Sequence, residues 1–86
     1  MQAWHFSETA YPYLPPADSY PSIRVSLPNK NYDPAKGADL YNEFLDQLVQ
    51  ADELGFDGVC VNEHHQTAYG LMPVPSVLAG ALVRQI

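Results

Sequence analysis

Four polar side chains capable of chemistry stand together in the middle of the chain. Asn62, Glu63, His64 and His65 directly follow the short apolar run Val59–Val61. A β-branched apolar run without alternation is typical of a parallel strand that is covered on both faces. In α/β proteins the active site lies at the carboxyl edge of such a sheet. The pattern therefore predicts an active site at the end of this strand.

A zinc site is the first alternative, because adjacent histidines beside a glutamate can suggest metal binding. Neighbouring residues of a strand point to opposite faces, so His64 and His65 are poorly placed to bind one ion. The sequence also contains no cysteine or histidine pair at a ligand spacing. We therefore expect no metal centre.

An amphipathic helix is predicted from about Asp39 to Leu54, immediately before this strand. Asp39 is a candidate amino cap, although Asp33 followed by Pro34 is suited to a short earlier turn. Gly55 supplies the left-handed residue that commonly ends a helix. The apolar positions recur in two adjacent rows that form one broad stripe: Leu40, Phe44 and Leu48 in the first, and Tyr41, Leu45 and Val49 in the second.

The remaining elements complete an alternating order. Residues 3–7 predict a first strand with Trp4 and Phe6 on one face. Residues 11–37 are rich in proline and predict a long loop, whose tyrosines are expected to pin it to the body of the protein. A second helix is predicted from Ser76 to the end of the chain. Strand, loop, helix, strand, loop and helix make two βα units of an α/β fold.

Two βα units are too few for a closed domain. Parallel strands need neighbours on both sides and helices on both faces. The sequence has 86 residues, whereas an eight-fold barrel needs roughly 250. We expect residues 1–86 to be the amino-terminal part of a larger domain, incomplete as an isolated chain.

Charge and cysteine content exclude several classes of partner. The formal net charge is −6, and the few basic residues form no stripe. Nucleic acid and anionic membranes are therefore not expected partners. Cys60 is the single cysteine and lies in an apolar run, so we expect an inert core thiol and a reducing, cytoplasmic location. No segment reads as a signal peptide or a membrane span.

Three segments resemble one enzyme family. Residues 55–75, reading Gly-Phe-Asp-Gly-Val-Cys-Val-Asn-Glu-His-His-Gln-Thr-Ala-Tyr-Gly-Leu-Met-Pro-Val-Pro, resemble the second strand and following loop of the bacterial luciferase-like flavin-dependent monooxygenases. Residues 6–15 resemble the first strand and loop of the limonene-monooxygenase-like branch, and residues 36–54 resemble its first helix. Residues 7–10, Ser-Glu-Thr-Ala, depart from the family, which has an apolar stretch ending in methionine there.

The resemblance implies a TIM (β/α)8 barrel of which residues 1–86 form the first two βα units. Such enzymes use reduced FMN and O2 to oxidise a small organic substrate, commonly with a separate flavin reductase. His64 matches the family's catalytic histidine, which is consistent with the ability of imidazole to exchange protons near neutral pH. Glu63 would tune or orient His64, and Asn62 is a candidate cofactor contact. The phosphate-binding residues come from late strands outside residues 1–86.

Other interpretations stay open from the residues alone. The same barrel also supports deazaflavin-dependent dehydrogenases and reductases that do not use oxygen. A non-catalytic segment that acts only by associating with a partner, or with itself as a homo-oligomer, would expose similar apolar faces. Each site residue also has a structural alternative: His64 as a hydrogen-bonded structural histidine, Glu63 as a loop cap, Asn62 as a turn residue and His65 as a hydrogen-bonding loop residue.

Overall fold

The computed structural model describes residues 1–86 and confirms the strand–helix–strand–helix order. The two strands lie side by side and run parallel, in a register that pairs Trp4 with Gly58 and Ser7 with Val61. Because parallel neighbours need a crossover connection, the helix between them lies against the sheet. The α/β elements are β1 (Trp4–Ser7), α1 (Pro34–Glu53), β2 (Gly58–Val61) and α2 (Pro75–Leu82).

The two faces of the sheet have different surroundings. Val59 and Val61 pack against the cluster formed with the two helices. On the opposite face, Trp4 and Phe6 are 55% and 54% exposed. Phe6 pairs with Cys60 on this open face, and the thiol residue is half-buried rather than part of the core. The expectation of a strand covered on both faces is therefore met on the helix side only.

Helix α1 begins earlier than predicted, so Asp39 is not its amino cap. Asp33 is the cap, and its carboxylate accepts a hydrogen bond from the Ala35 amide at 2.9 Å. Pro34 fits the first helical position because its missing N–H would have no partner there. Gly37 lies inside the helix, where any side chain would collide with the ring of Tyr32. This contact explains a glycine that otherwise suggested a loop.

The first row of the predicted α1 stripe is buried, the second row is half-buried, and the stripe joins two apolar clusters. Leu48 is completely buried and anchors the cluster that also contains residues of α2. The second cluster lies under the long loop and includes the buried ring of Tyr11. The hydroxyl of Tyr11 accepts a hydrogen bond from the Asp33 amide at 3.0 Å, which confirms that a loop tyrosine pins this segment. The loop itself contains two short 3-10 turns, at Ala17–Ser19 and Asn29–Asn31.

Helix α2 ends at Leu82, so the prediction that it reaches the end of the chain is wrong. Leu78 and Leu82 pack into the core, whereas residues 83–86 are all exposed. Because the last residues have no apolar surface to pack against, they gain too little to extend a helix of only eight residues. Neither helix combines the length and the apolar character needed to cross a membrane.

A pair of glycine substitutions compares the end of α1 with a position inside α2. Gly55 has a φ of +91°, and no atom lies near the position that a Cβ would take, so Gly55→Ala adds strain without a collision. We expect a loss of about 1–2 kcal/mol in the free energy of unfolding. Gly80 is an exposed position inside α2 with equally open space. Gly80→Ala is expected to gain about 0.5–1 kcal/mol. Urea unfolding of both variants checks this, and equal effects would contradict the assignment of Gly55 as a left-handed helix stop.

Candidate functional site

The carboxyl ends of the two strands meet through Asn62. Its side-chain oxygen accepts a hydrogen bond of 2.6 Å from the hydroxyl of Thr9, and its backbone amide donates to the Ser7 carbonyl at 3.3 Å. Residues that follow neighbouring parallel strands emerge at the same sheet edge. The predicted strand-end cluster is therefore joined directly to the segment that leaves β1.

Thr9 is held in an unusual conformation at this junction. It is 1% exposed and has a φ of +47°, which is uncommon for a residue other than glycine. Its carbonyl accepts a hydrogen bond from the Leu71 amide at 2.9 Å. Beside it, Ala10 and Gly70 form an isolated antiparallel bridge. The loop after β1 and the loop after β2 are thus held together by backbone hydrogen bonds.

His64 is fixed through both its backbone and its ring. Its amide donates to the Met72 carbonyl at 2.9 Å, and its Nε2 lies 3.2 Å from the hydroxyl oxygen of Thr67. The ring centroid is 5.5 Å from that of Tyr69. A Cβ on Gly70 would stand 3.0 Å from the Cβ of His64, so the backbone of Gly70 approaches this residue closely. The structure therefore provides a defined pocket for this imidazole.

Glu63 makes no hydrogen bond to His64. Its carboxylate lies 2.9 Å from the Nε2 of His65, and both of these side chains are 59% exposed. Exposed pairs of this kind contribute little to stability. His65 is thus the hydrogen-bonding loop residue that was predicted, whereas the side-chain partner of His64 is Thr67.

The larger concave surface lies at the carboxyl ends of the strands, and we call it the strand-end cleft. Its volume of about 490 Å³ is within the range of small-molecule sites. Arg24 contributes the only basic side chain, and its guanidinium lies 5.3 Å from the ring centroid of Tyr69. The lining is mainly apolar and comprises Phe6, Glu8, Ala10, Tyr11, Pro12, Leu14, Pro15, Ala17, Ile23, Arg24, Asn62 and Tyr69.

His64 lines a separate, smaller space that we call the His64 cavity. Its volume is about 200 Å³, and Tyr69, the neighbour of the His64 ring, lines the strand-end cleft instead. Asn62 and His64, which were predicted as one cluster, therefore face two adjoining spaces. The cavity is lined by Asn29, Tyr32, Tyr41, His64, Thr67, Ala68, Gly70, Leu71 and Pro73.

Sequence reasoning missed Thr9, Arg24, Thr67 and Tyr69. Arg24 and Thr67 lie 43 positions apart and meet only because the long loop folds back onto the segment after β2. A threonine hydroxyl in a loop has no spacing signal that marks its partner. The only usable sign was that long loops in compact domains tend to form binding sites.

Burial raises the pKa of the Tyr41 hydroxyl in the wall of the His64 cavity, and the nearby Tyr32 raises it further. The neutral phenol is thus favoured in the folded protein. In the unfolded chain Tyr41 ionises near its ordinary pKa of 10.0. Stability from this group is therefore complete below pH 10 and is lost as the pH rises towards the folded-state value.

Tyr41→Phe is expected to reduce the alkaline loss of stability. The Tyr41 hydroxyl makes no hydrogen bond within the protein, so the free energy of unfolding at pH 7 should change by less than about 0.5 kcal/mol. Above pH 10 the variant should retain more of its stability than the wild type, because a phenylalanine ring has no proton to release. Urea midpoints measured from pH 7 to pH 11 check this. Parallel curves for the two proteins over that range would contradict it.

No group of three or more His, Cys, Asp and Glu side chains is arranged to hold a metal ion. No family model, curated protein or solved structure matches the chain.

Proposed function

We propose that the chain forms the first two βα units of a TIM-barrel, luciferase-like flavin-dependent monooxygenase that oxidises a small organic substrate with reduced FMN and O2. The proposal extends the resemblance of residues 6–15, 36–54 and 55–75 to that family. The observation that carries it is the Thr9–Asn62 hydrogen bond. It unites the carboxyl ends of two adjacent parallel strands beside His64, where α/β barrels build their active sites.

The strand-end cleft suits the ring system of a flavin better than its phosphate. Phe6 and Tyr69 provide aromatic surface, and Asn62 provides an amide that can donate and accept hydrogen bonds. Arg24 is the only basic group there, and no glycine-rich turn before a helix lines the cleft. This distribution agrees with a phosphate site built from later strands. When bound, reduced flavin would supply the electrons that activate O2.

The chain's own residues would hold the reactants and exchange a proton. Asn62 would contact the cofactor, and the apolar wall of the cleft would exclude water. From the adjoining His64 cavity, His64 would act as the general acid or base towards the reacting group, a role for which imidazole is suited near neutral pH. Glu63 has no part in this proposal because its carboxylate pairs with His65.

Flavin binding and oxygen consumption test the proposal. The complete product of the gene and the chain of residues 1–86 are each titrated with FMN by fluorescence. We expect the complete product to bind FMN and, with reduced FMN, O2 and a panel of small organic substrates, to form an oxygenated product that is absent without the protein. Residues 1–86 alone should not bind tightly. Absence of flavin binding by the complete product would refute the proposal. Substrate oxidation that needs an oxidised deazaflavin as the electron acceptor and consumes no O2 would favour the deazaflavin-type dehydrogenase.

A second candidate function is association without catalysis, because the open sheet face exposes Trp4 and Phe6. Both strands of a two-stranded sheet are also edge strands, which can pair with other chains. Under the barrel proposal this face is covered by the rest of the same domain. Gel filtration of the complete gene product separates the two functions: a compact species that binds flavin supports the barrel, and a flavin-free oligomer supports association.

A further inference from the structure

The hydroxyl of Thr67 is surrounded by more groups than any other side-chain hydroxyl near His64. Thr67 is 8% exposed. Its oxygen lies 2.8 Å from the Arg24 carbonyl and 3.3 Å from the Ile23 carbonyl. It also lies 3.2 Å from the Nε2 of His64 and 3.5 Å from the Tyr69 amide nitrogen. This buried hydroxyl has one hydrogen to donate, and several of its four polar neighbours could accept it.

The two carbonyls decide where that proton goes. A threonine hydroxyl has one hydrogen to donate and two lone pairs to accept with. Carbonyl oxygens can only accept, and the carbonyls of Ile23 and Arg24 receive no backbone hydrogen bond. The Thr67 hydroxyl therefore donates to the nearer carbonyl, that of Arg24. Its lone pairs remain for donors, one of which is the Tyr69 amide.

We infer that Thr67 is a positioning residue that keeps the neutral His64 ring in the tautomer with its proton on Nε2, so that Nδ1 is the nitrogen that takes up a proton. With the Thr67 proton committed to a carbonyl, Nε2 must donate to the hydroxyl oxygen. Nδ1 has no hydrogen-bond partner in the protein.

The opposite tautomer is disfavoured at this site. If Nε2 accepted the Thr67 proton, the hydroxyl oxygen would face the Arg24 carbonyl oxygen at 2.8 Å with no hydrogen between them. Two oxygens at that distance repel, and the part-buried Arg24 carbonyl would lose the Thr67 donor. Rotation of the imidazole is also restricted, because the ring packs against Tyr69 and its Cβ lies against Gly70. The surroundings thus select both the orientation and the tautomer.

The proton step that follows from this arrangement is simple. Nδ1 uses its lone pair to form a new N–H bond with a proton of the bound reactant, and the bonding electrons stay on the reactant. The resulting imidazolium keeps its Nε2–H bond to Thr67, so the ring does not move during the transfer. The role of this proton transfer in catalysis rests on the proposed function. The assignment of the tautomer does not, because it depends only on the contacts of Thr67 and His64.

Nitrogen-15 NMR of the protein labelled at its histidines tests the inference directly, without flavin. At a pH where His64 is neutral, we expect a protonated Nε2 and an unprotonated Nδ1, with a hydrogen-bonded Nε2–H signal that is protected from exchange. His64→Gln identifies the signal by removing it. A proton on Nδ1, or rapid averaging of the two tautomers in the wild type, would overturn the inference.

Two variants of Thr67 separate positioning from packing. Thr67→Ser keeps the hydroxyl and should keep the protected Nε2–H signal, whereas Thr67→Val keeps the shape and should lose it. Exchange in Thr67→Val is expected to be about tenfold faster, the factor that one lost hydrogen bond can supply. A protected signal in Thr67→Val would contradict the inference; if that variant fails to fold, wild type and Thr67→Ser decide. The expected tautomer in a complete gene product that does not bind flavin would refute only the proposed function.

Discussion

Leu48→Ala is expected to lower the free energy of unfolding by about 2–5 kcal/mol. Leu48 is completely buried at the point where helix α1 meets β2 and α2. Truncation leaves a cavity among side chains that belong to three elements, so no single element can shift to fill it. Globular domains are stable by only about 5–15 kcal/mol, so the loss is a large fraction of the whole. Urea unfolding followed by circular dichroism measures it.

Leu54→Ala is the matched control, since it removes the same atoms from the same helix region. Leu54 is 71% exposed at the carboxyl cap of α1. We expect a change within about 0.5 kcal/mol, which is typical of surface substitutions. Similar losses in the two variants would mean that Leu48 does not join the three elements in solution. A large difference would confirm that Leu48 is a core contact between α1, β2 and α2.

The burial of α1 was predictable because it depends on periodicity within one segment. Every fourth residue of a helix faces the same side, so the sequence alone identifies Leu40, Phe44 and Leu48 as a buried row. The helix start was not predictable in the same way. Gly37 weakens a helix when considered alone. Its place in α1 depends on the ring of Tyr32, a contact that only the folded chain contains.

The sequence predicted where the candidate site lies in the fold, but it did not predict which side chains contact one another there. An apolar strand ending in polar residues indicates a sheet edge, and the Thr9–Asn62 hydrogen bond lies at that edge. The sequence order also suggested that Glu63 would orient His64, since the two are neighbours. In the loop after β2, the Glu63 carboxylate instead contacts His65, two positions away. Proximity in sequence was therefore the wrong guide to the partner of the imidazole.

His64→Gln is expected to lower the turnover of the complete gene product by about 10²–10⁴-fold, the contribution of a positioned general acid or base. Glutamine can keep a nitrogen donor towards Thr67, so the hydrogen-bonded position of Nε2 is largely preserved. It has no basic nitrogen to replace Nδ1, and proton transfer would fall to water. The steady-state rate of oxygenated product formation measures the loss, and FMN titration should show unchanged binding, because Asn62 and the strand-end cleft are untouched.

His65→Gln is the control that distinguishes a catalytic imidazole from a merely histidine-rich loop. His65 is 59% exposed and pairs with Glu63, so its loss removes only a surface contact. We expect its turnover to match that of the wild type. Equal losses in both variants would indicate a general disturbance of the loop and would count against His64 as the proton-transferring group. If turnover falls only in His64→Gln while flavin binding persists, the defect lies in the chemical step, because the imidazole is then required after the cofactor has bound.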